Sequence, residues 1–191
     1  MTPEDILSYI QQAQNGDRQA FQHLVNHMMP RLYGVVYAML PNRDEVYDIL
    51  QDTFVKAHRA LPKLNEPRAF AGWLTRIAVN TTKTRLTRQR EYATEPNSLL
   101  FSQQAVPDQA VSRLEQADLQ ALLNQALEEL SSDHREVVAL VELQEMNCAE
   151  AAEILGCPAG TVRSRLHYAR KQLKRILSPY RHYLIQEEPQ P

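Results

Sequence analysis

A chain of 191 residues has room for one domain or two small ones, and its 43% hydrophobic and 23% charged content is that of an ordinary globular protein. No apolar run is long enough to span a bilayer, and the opening Met1-Thr2-Pro3-Glu4-Asp5 lacks the basic-then-apolar order of a secretory signal, so a cytoplasmic protein without membrane insertion is expected. Two cysteines, Cys148 and Cys157, are too few for a disulfide framework and are read as reduced and inert.

Apolar residues recur at helical spacing throughout, glycine is scarce and no alternating strand pattern is found, so the fold class is all-α. Thr2 and Pro3 suit an N-cap and first helical position, and Gly16 ends that helix. Asp17 caps a longer segment with Ala20, Phe21, Leu24, Val25 and Met28 on one face, which Pro30 should kink or break before the pattern resumes from Tyr33 to Leu40. A helix then begins at Asn42. Val46, Ile49, Leu50, Phe54, Ala57 and Leu61 form its apolar stripe, and Asp48, Gln51, Asp52 and Val55 line a neighbouring face. Pro62 stops it, and Lys63-Leu64-Asn65-Glu66-Pro67 is a short loop. The next helix buries Phe70, Trp73, Leu74 and Ile77; Arg76, Asn80, Lys83 and Thr87 share its other face. Periodicity disappears from about Glu91 to Asp108, as in a polar interdomain linker with nothing to fix the orientation of its two ends. The division expected is a domain over 1–92, a flexible linker over 93–110, a second small helical domain over 111–180 and a disordered tail over 181–191.

The second domain holds the strongest local signal. Asn147 with Glu150 makes a capping box, Ala152 and Leu155 face inward, Gly156 can adopt the left-handed conformation that ends a helix, and Cys157 and Pro158 suit the next N-cap and first position. Val162, Leu166, Ala169, Leu173 and Ile176 are then buried, opposite a face of Arg163, Ser164, His167, Tyr168, Lys171 and Arg175. Small residue, turn glycine and apolar residue at these spacings resemble a DNA-binding helix-turn-helix, whose second helix enters the major groove. The bland alternative is a helical hairpin with a solvated basic face. Charge is segregated to match. From Arg113 to Glu153 ten acidic residues face only Arg113 and Arg135, whereas 158–175 is wholly basic and 76–90 carries Arg76, Lys83, Arg85, Arg88 and Arg90. Basic stripes on an otherwise acidic chain point to local phosphate contact.

Three further segments carry a family resemblance: Gly16 to Phe21, Asp48-Ile49-Leu50-Gln51-Asp52-Thr53-Phe54, and Phe70-Ala71-Gly72-Trp73-Leu74-Thr75-Arg76-Ile77-Ala78-Val79-Asn80. With Gly160-Thr161-Val162-Arg163-Ser164-Arg165-Leu166 and Ala169-Arg170, in this order, the chain resembles the extracytoplasmic-function (ECF, group IV) sigma factors of bacterial RNA polymerase, the proteobacterial envelope-stress members among them. The resemblance implies a sigma region 2 bundle followed by a region 4 helix-turn-helix, with core RNA polymerase (its β′ clamp coiled coil and β flap), promoter DNA and an anti-sigma factor, often membrane-anchored, as partners. Carried over, it implies polymerase binding by Asp48, Gln51, Asp52 and Val55. It implies minus-ten contacts by Lys63, Leu64, Asn65, Arg76, Asn80, Lys83 and Arg88. It implies minus-thirty-five contacts by Thr161, Arg163, Ser164, Arg165, His167, Tyr168 and Lys171. Leu64 stands where relatives often have an aromatic residue, and Tyr168 where many have arginine.

Other readings stay weighed against this one. Phe70 and Trp73 are read as core, not stacking platforms. His23 and His27 lack a third ligand and are read as packing or surface residues, so no metal or cofactor is expected. Without a phosphate-binding glycine loop or a nucleophile–base motif, no catalytic activity is expected. A helix-turn-helix regulator working without polymerase explains Asn147 to Leu177 equally well, but not Asp48 to Phe54 followed by Trp73 to Asn80.

Overall fold

The computed structural model describes residues 1–40, 43–93 and 121–180, and every regular element among them is helical. α1 is Pro3–Gln14, α2 Arg18–Met39, α3 Arg43–Ala60 and α4 Phe70–Ala93. α5 covers residues 121–128, α6 is Ser132–Val141, α7 Cys148–Leu155 and α8 Ala159–Leu177. The linker, the first residues expected in the second domain and the tail lie outside the described residues.

Local chemistry sets most helix ends. Thr2 and Asp5 form a capping box, and the N–H and hydroxyl of Thr2 hold the Asp5 carboxyl below its ordinary pKa. The Asp17 carboxylate accepts from the N–H groups of Gln19 and Ala20. Asn147 and Glu150 form a second capping box, and Gly156 closes α7 at φ +67°. At two positions the structure narrows what was expected. α2 runs unbroken through Pro30, which sits on an exposed face where water can satisfy the carbonyl freed on the preceding turn. The cap of α8 is Pro158 itself, in extended conformation, and Ala159 opens the helix one residue later than expected.

A left-handed residue at position 156 matters for the turn before α8. A Cβ there meets nothing within 4 Å, so only backbone conformation opposes substitution. Gly156→Val should lower the unfolding free energy by about 1–2 kcal/mol, and Gly156→Asn, which tolerates this conformation, by clearly less. Urea unfolding would measure both; equal losses would show that the turn, not its φ angle, dominates.

The four N-terminal helices enclose one core: Ile10 of α1, Leu24, Leu32 and Val36 of α2, Val46, Ile49 and Leu50 of α3, and Phe70, Leu74 and Ala78 of α4. The apolar stripe expected of α3 is this core's third wall. A second core joins the two halves of the chain. Val35, Ala38 and Met39 of α2 and Val79 of α4 are buried in one cluster with Val137, Val138 and Leu140 of α6, Ala151 and Ile154 of α7, and Val162 and Leu166 of α8. The linker was expected to leave the two domains without a fixed orientation; instead α2 packs on α6 and α4 on α7. The physical reason is that the far half of α2 is apolar all round, from Leu32 to Leu40, and one core cannot cover both of its faces.

Candidate nucleic-acid interface

Three surfaces gather the residues singled out above. The first is the outer face of α3. Asp48, Gln51, Asp52 and Val55 are all exposed and stand on successive turns, while Thr53 beside them turns inward and donates its hydroxyl to the Ile49 carbonyl at 2.7 Å. Tyr47 and Val55 leave apolar area in water at 63% and 44% exposure. Next to them a groove of about 570 Å³ runs between α2 and α3, lined by Phe21, Val25, Met29, Tyr47, Phe54 and Val55. An exposed acidic face bordered by an apolar groove suits a partner helix that offers both cations and aliphatic side chains. The face is tied to α4 by Arg85, which donates to Glu45 at 3.0 Å. That hydrogen bond first, then the charges of Glu45, Asp48 and Asp52, raises the Arg85 pKa.

The second surface is the α3–α4 loop and the face of α4. Lys63 and Asn65 are exposed, but Leu64 is half-buried and packs on the N-terminal core. Gln14 of α1, which sequence reasoning passed over, donates its amide to the carbonyls of Leu61 and Leu64 at 3.1 and 2.8 Å and so fixes the loop's course. A polar residue one position before a helix C-cap gives no sequence signal for so distant a contact. On α4, Arg76, Asn80 and Arg88 are exposed and Lys83 is half-buried. Arg76 and Lys83 do not face open solvent alone. Arg76 donates to the backbone carbonyl of Glu153, and the Lys83 ammonium lies 2.9 Å from the Glu136 carboxylate.

The third surface is α8. Ala152, at 8% exposure, and fully buried Val162 lock it to α7 across the Gly156 turn, and the Cys157 N–H adds a bond to the Ala152 carbonyl. Arg163, Ser164, His167, Tyr168 and Lys171 then form one exposed face. Ser164 donates its hydroxyl to the Thr161 carbonyl at 2.9 Å, and the rings of His167 and Tyr168 meet edge to face at 5.6 Å. Thr161, at the start of the helix, is half-buried. Arg165 departs from the expected set, since its guanidinium pairs with Asp133 at the start of α6. Arg170 likewise pairs with Glu142, the C-cap of α6.

The described residues thus present an exposed acidic face on α3, a row of cations on α4 and an exposed face on α8 that mixes cations with Ser164, His167 and Tyr168. Among the described residues no cluster of histidine, cysteine or carboxylate side chains could hold a metal ion, and no helix is long and apolar enough to cross a membrane. Residues 24–92 match the family model for Sigma-70 region 2, and residues 120–173 that for Sigma-70 region 4. The RNA polymerase sigma-H factor of Pseudomonas aeruginosa is 30% identical over 189 residues, covering 94% of this chain and 97% of that protein. The ECF RNA polymerase sigma factor SigW of Bacillus subtilis is 32% identical over 179 residues, covering 88% and 94%. Among solved structures, the sigma factor RpoE in complex with the anti-sigma factor NepR from Bartonella quintana superposes with a TM-score of 0.69 at 28% identity, covering 83% of this chain and 96% of that one.

Proposed function

The chain belongs to the extracytoplasmic-function sigma factors of the sigma-70 family, and from that membership we propose how its surfaces divide the work of directing transcription initiation. Residues 1–92 act as region 2 and 111–180 as region 4, joined by 93–110. Asp48, Gln51, Asp52 and Val55 dock on the clamp coiled coil of core RNA polymerase. Lys63, Asn65, Asn80 and Arg88, with Arg76 and Lys83, hold the opened minus-ten strand; capture of unstacked bases stabilises an open strand without ATP. Leu64 supports that loop from beneath. The exposed face of α8 reads the minus-thirty-five element in the major groove, and the β flap receives the same region from behind. Sigma factors are not known as enzymes, and nothing in this division of labour requires bond chemistry.

The observation that carries this reading is the α8 face. Arg163 and Lys171 flank Ser164, His167 and Tyr168, so phosphate-positioning cations bracket side chains that can reach base edges. An anti-sigma partner, as in the relative seen bound to NepR, is expected to cover the α3 groove and the α8 face; the stress signal that releases it belongs to that partner. We infer a cytoplasmic site of action, where polymerase is found.

The test is in vitro transcription with purified core polymerase on a randomised promoter library. Core-dependent initiation from one class of minus-ten and minus-thirty-five sequences is expected. Binding to a palindrome as a dimer without core would instead favour a helix-turn-helix regulator. Within the same library, Tyr168→Ala should change which minus-thirty-five bases are preferred, because Tyr168 is 59% exposed at the centre of the reading face. An unchanged preferred sequence would remove Tyr168 from base reading.

A further inference from the structure

Helix α1 lies along the back of the α3–α4 loop. Near its start, Ile6 and Leu7 line a cleft of about 530 Å³ together with Pro67, Arg68 and Phe70. At its end, half-buried Gln14 meets the other side of the loop. A primary amide has two N–H bonds to donate, and Gln14 directs them at two loop carbonyls, Leu61 at 3.1 Å and Leu64 at 2.8 Å. The Leu61 carbonyl also takes the Leu64 N–H at 3.0 Å, so the 3-10 turn over Leu61–Lys63 is both closed and tied to α1. The chain then turns extended at Leu64, with φ −74° and ψ 106°. Just beyond, the Glu66 carboxylate caps the next turn by accepting the Arg68 N–H at 3.2 Å. Exposed Asn65 is the residue between these two fixed points. Gln14 is itself held in place. Ile10, one turn before it, is fully buried and Ala13 beside it is buried; after it the Asp17 N–H returns to the Gln12 carbonyl at 3.1 Å, around Gly16 at φ +96°.

The peptide between Leu64 and Asn65 is planar and trans, so its C=O and N–H point in opposite directions. With the carbonyl drawn onto Gln14, the Asn65 N–H is turned away from α1. We propose that Gln14 is a positioning residue for minus-ten recognition: it fixes the Leu64–Asn65 peptide so that Asn65 meets the captured base in one orientation, while Gln14 itself touches no DNA. The proposal rests on the α3–α4 loop being a minus-ten base contact, as argued above. A donor in a fixed frame discriminates between bases because the base must bring its acceptor to that point. If the peptide could rotate, the same donor would follow whichever base arrived, and ordering it would cost binding energy. The half-buried setting strengthens the latch, since water competes less for the two carbonyls than it does on an open loop. Helix α1 thereby acquires a part in promoter choice, through the backbone of a loop some fifty residues away in sequence.

The experiment is in vitro transcription by the full chain with core polymerase, on a promoter library randomised over the minus-ten element alone. Gln14→Leu keeps the bulk and removes both donors. Gln14→Glu keeps shape and polarity but presents a carboxylate to two carbonyls, so one of the pair stays informative if the other folds poorly. Each should lower the ratio of best to second-best base at one minus-ten position by about three- to tenfold, the worth of one ordinary hydrogen bond. Core affinity and minus-thirty-five preference should not move. Gln14→Lys, whose ammonium can donate to both carbonyls, should restore the ratio, and Asn65→Ala should act at the same position. A uniform loss at all positions that tracks a lowered Tm and is not restored by Gln14→Lys would make Gln14 a stabilising residue only and overturn the proposal. Parental base preference in both donor-less variants, with Asn65→Ala still altering it, overturns the latch and leaves the loop's contact with minus ten in place. If neither Asn65→Ala nor the Gln14 variants changes preference at any position, the proposal falls together with that reading of the loop.

Discussion

Asp48→Arg combined with Gln51→Ala is expected to abolish assembly with core RNA polymerase while the variant stays folded. Both side chains stand off the buried stripe of α3, so the N-terminal core loses nothing. Truncating or reversing one close charge at a protein interface costs about 2–5 kcal/mol, and the reversal here adds repulsion from any cation on the clamp. The combined loss exceeds roughly a hundredfold in affinity, enough to empty the complex at micromolar concentrations. One side effect needs its own control. Arg85 is held charged by Glu45 and, more weakly, by Asp48 and Asp52, so a new arginine at position 48 also repels Arg85. Asp48→Asn with Gln51→Ala removes that repulsion and should still weaken binding at least tenfold or so. Pull-down or anisotropy against core polymerase, beside circular dichroism and a thermal scan, separates the effects. A folded double variant with parental affinity would remove α3 from the polymerase contact.

Much of this was readable before any coordinates. Helix ends were legible because their chemistry is local: Thr2 with Asp5, Asp17, Asn147 with Glu150, and the left-handed Gly156 each act within four residues. The α3 stripe and its exposed neighbours were legible because a helix repeats its faces every three to four residues. Pro30 does not end α2: it lies on an exposed face, where water can take the carbonyl that loses its partner. The packing of the two halves was harder. Periodicity reports that a face is apolar, not what covers it. The run from Leu32 to Leu40 contains no charged residue and no simple stripe, which is the mark of a helix buried on both sides, and it was the one available clue. Charge told only part of the arrangement. Lys83 and Arg165 were read as phosphate contacts because a basic residue on an open face has no other evident partner in sequence. In the fold each meets a carboxylate, Glu136 and Asp133, more than forty and thirty residues away respectively.

That difference between free and engaged cations sets up the second large effect. Arg163→Glu with Lys171→Glu should cut transcription from a promoter that depends on its minus-thirty-five element by at least about a hundredfold, with core binding unchanged. Each replaced phosphate contact should lower the slope of log affinity against log salt by about one, and the introduced carboxylates then repel the backbone. The loss should be nearly uniform across promoter sequences, since these cations position the helix and do not read bases. Arg165 and Arg170 predict the opposite pattern. They pair with Asp133 at the first turn of α6 and with Glu142 at its C-cap, so together they strap the recognition helix along the length of α6. Such partly exposed pairs are worth about 0–1 kcal/mol each, and Arg165→Gln with Arg170→Gln should cost stability in that range while leaving the salt slope nearly intact. The two pairs of variants thus divide four arginine and lysine side chains on one helix into those that meet DNA and those that aim it. Equal changes in salt slope for both pairs would show that α8 releases Asp133 and Glu142 when it docks, and that all four cations end on phosphate.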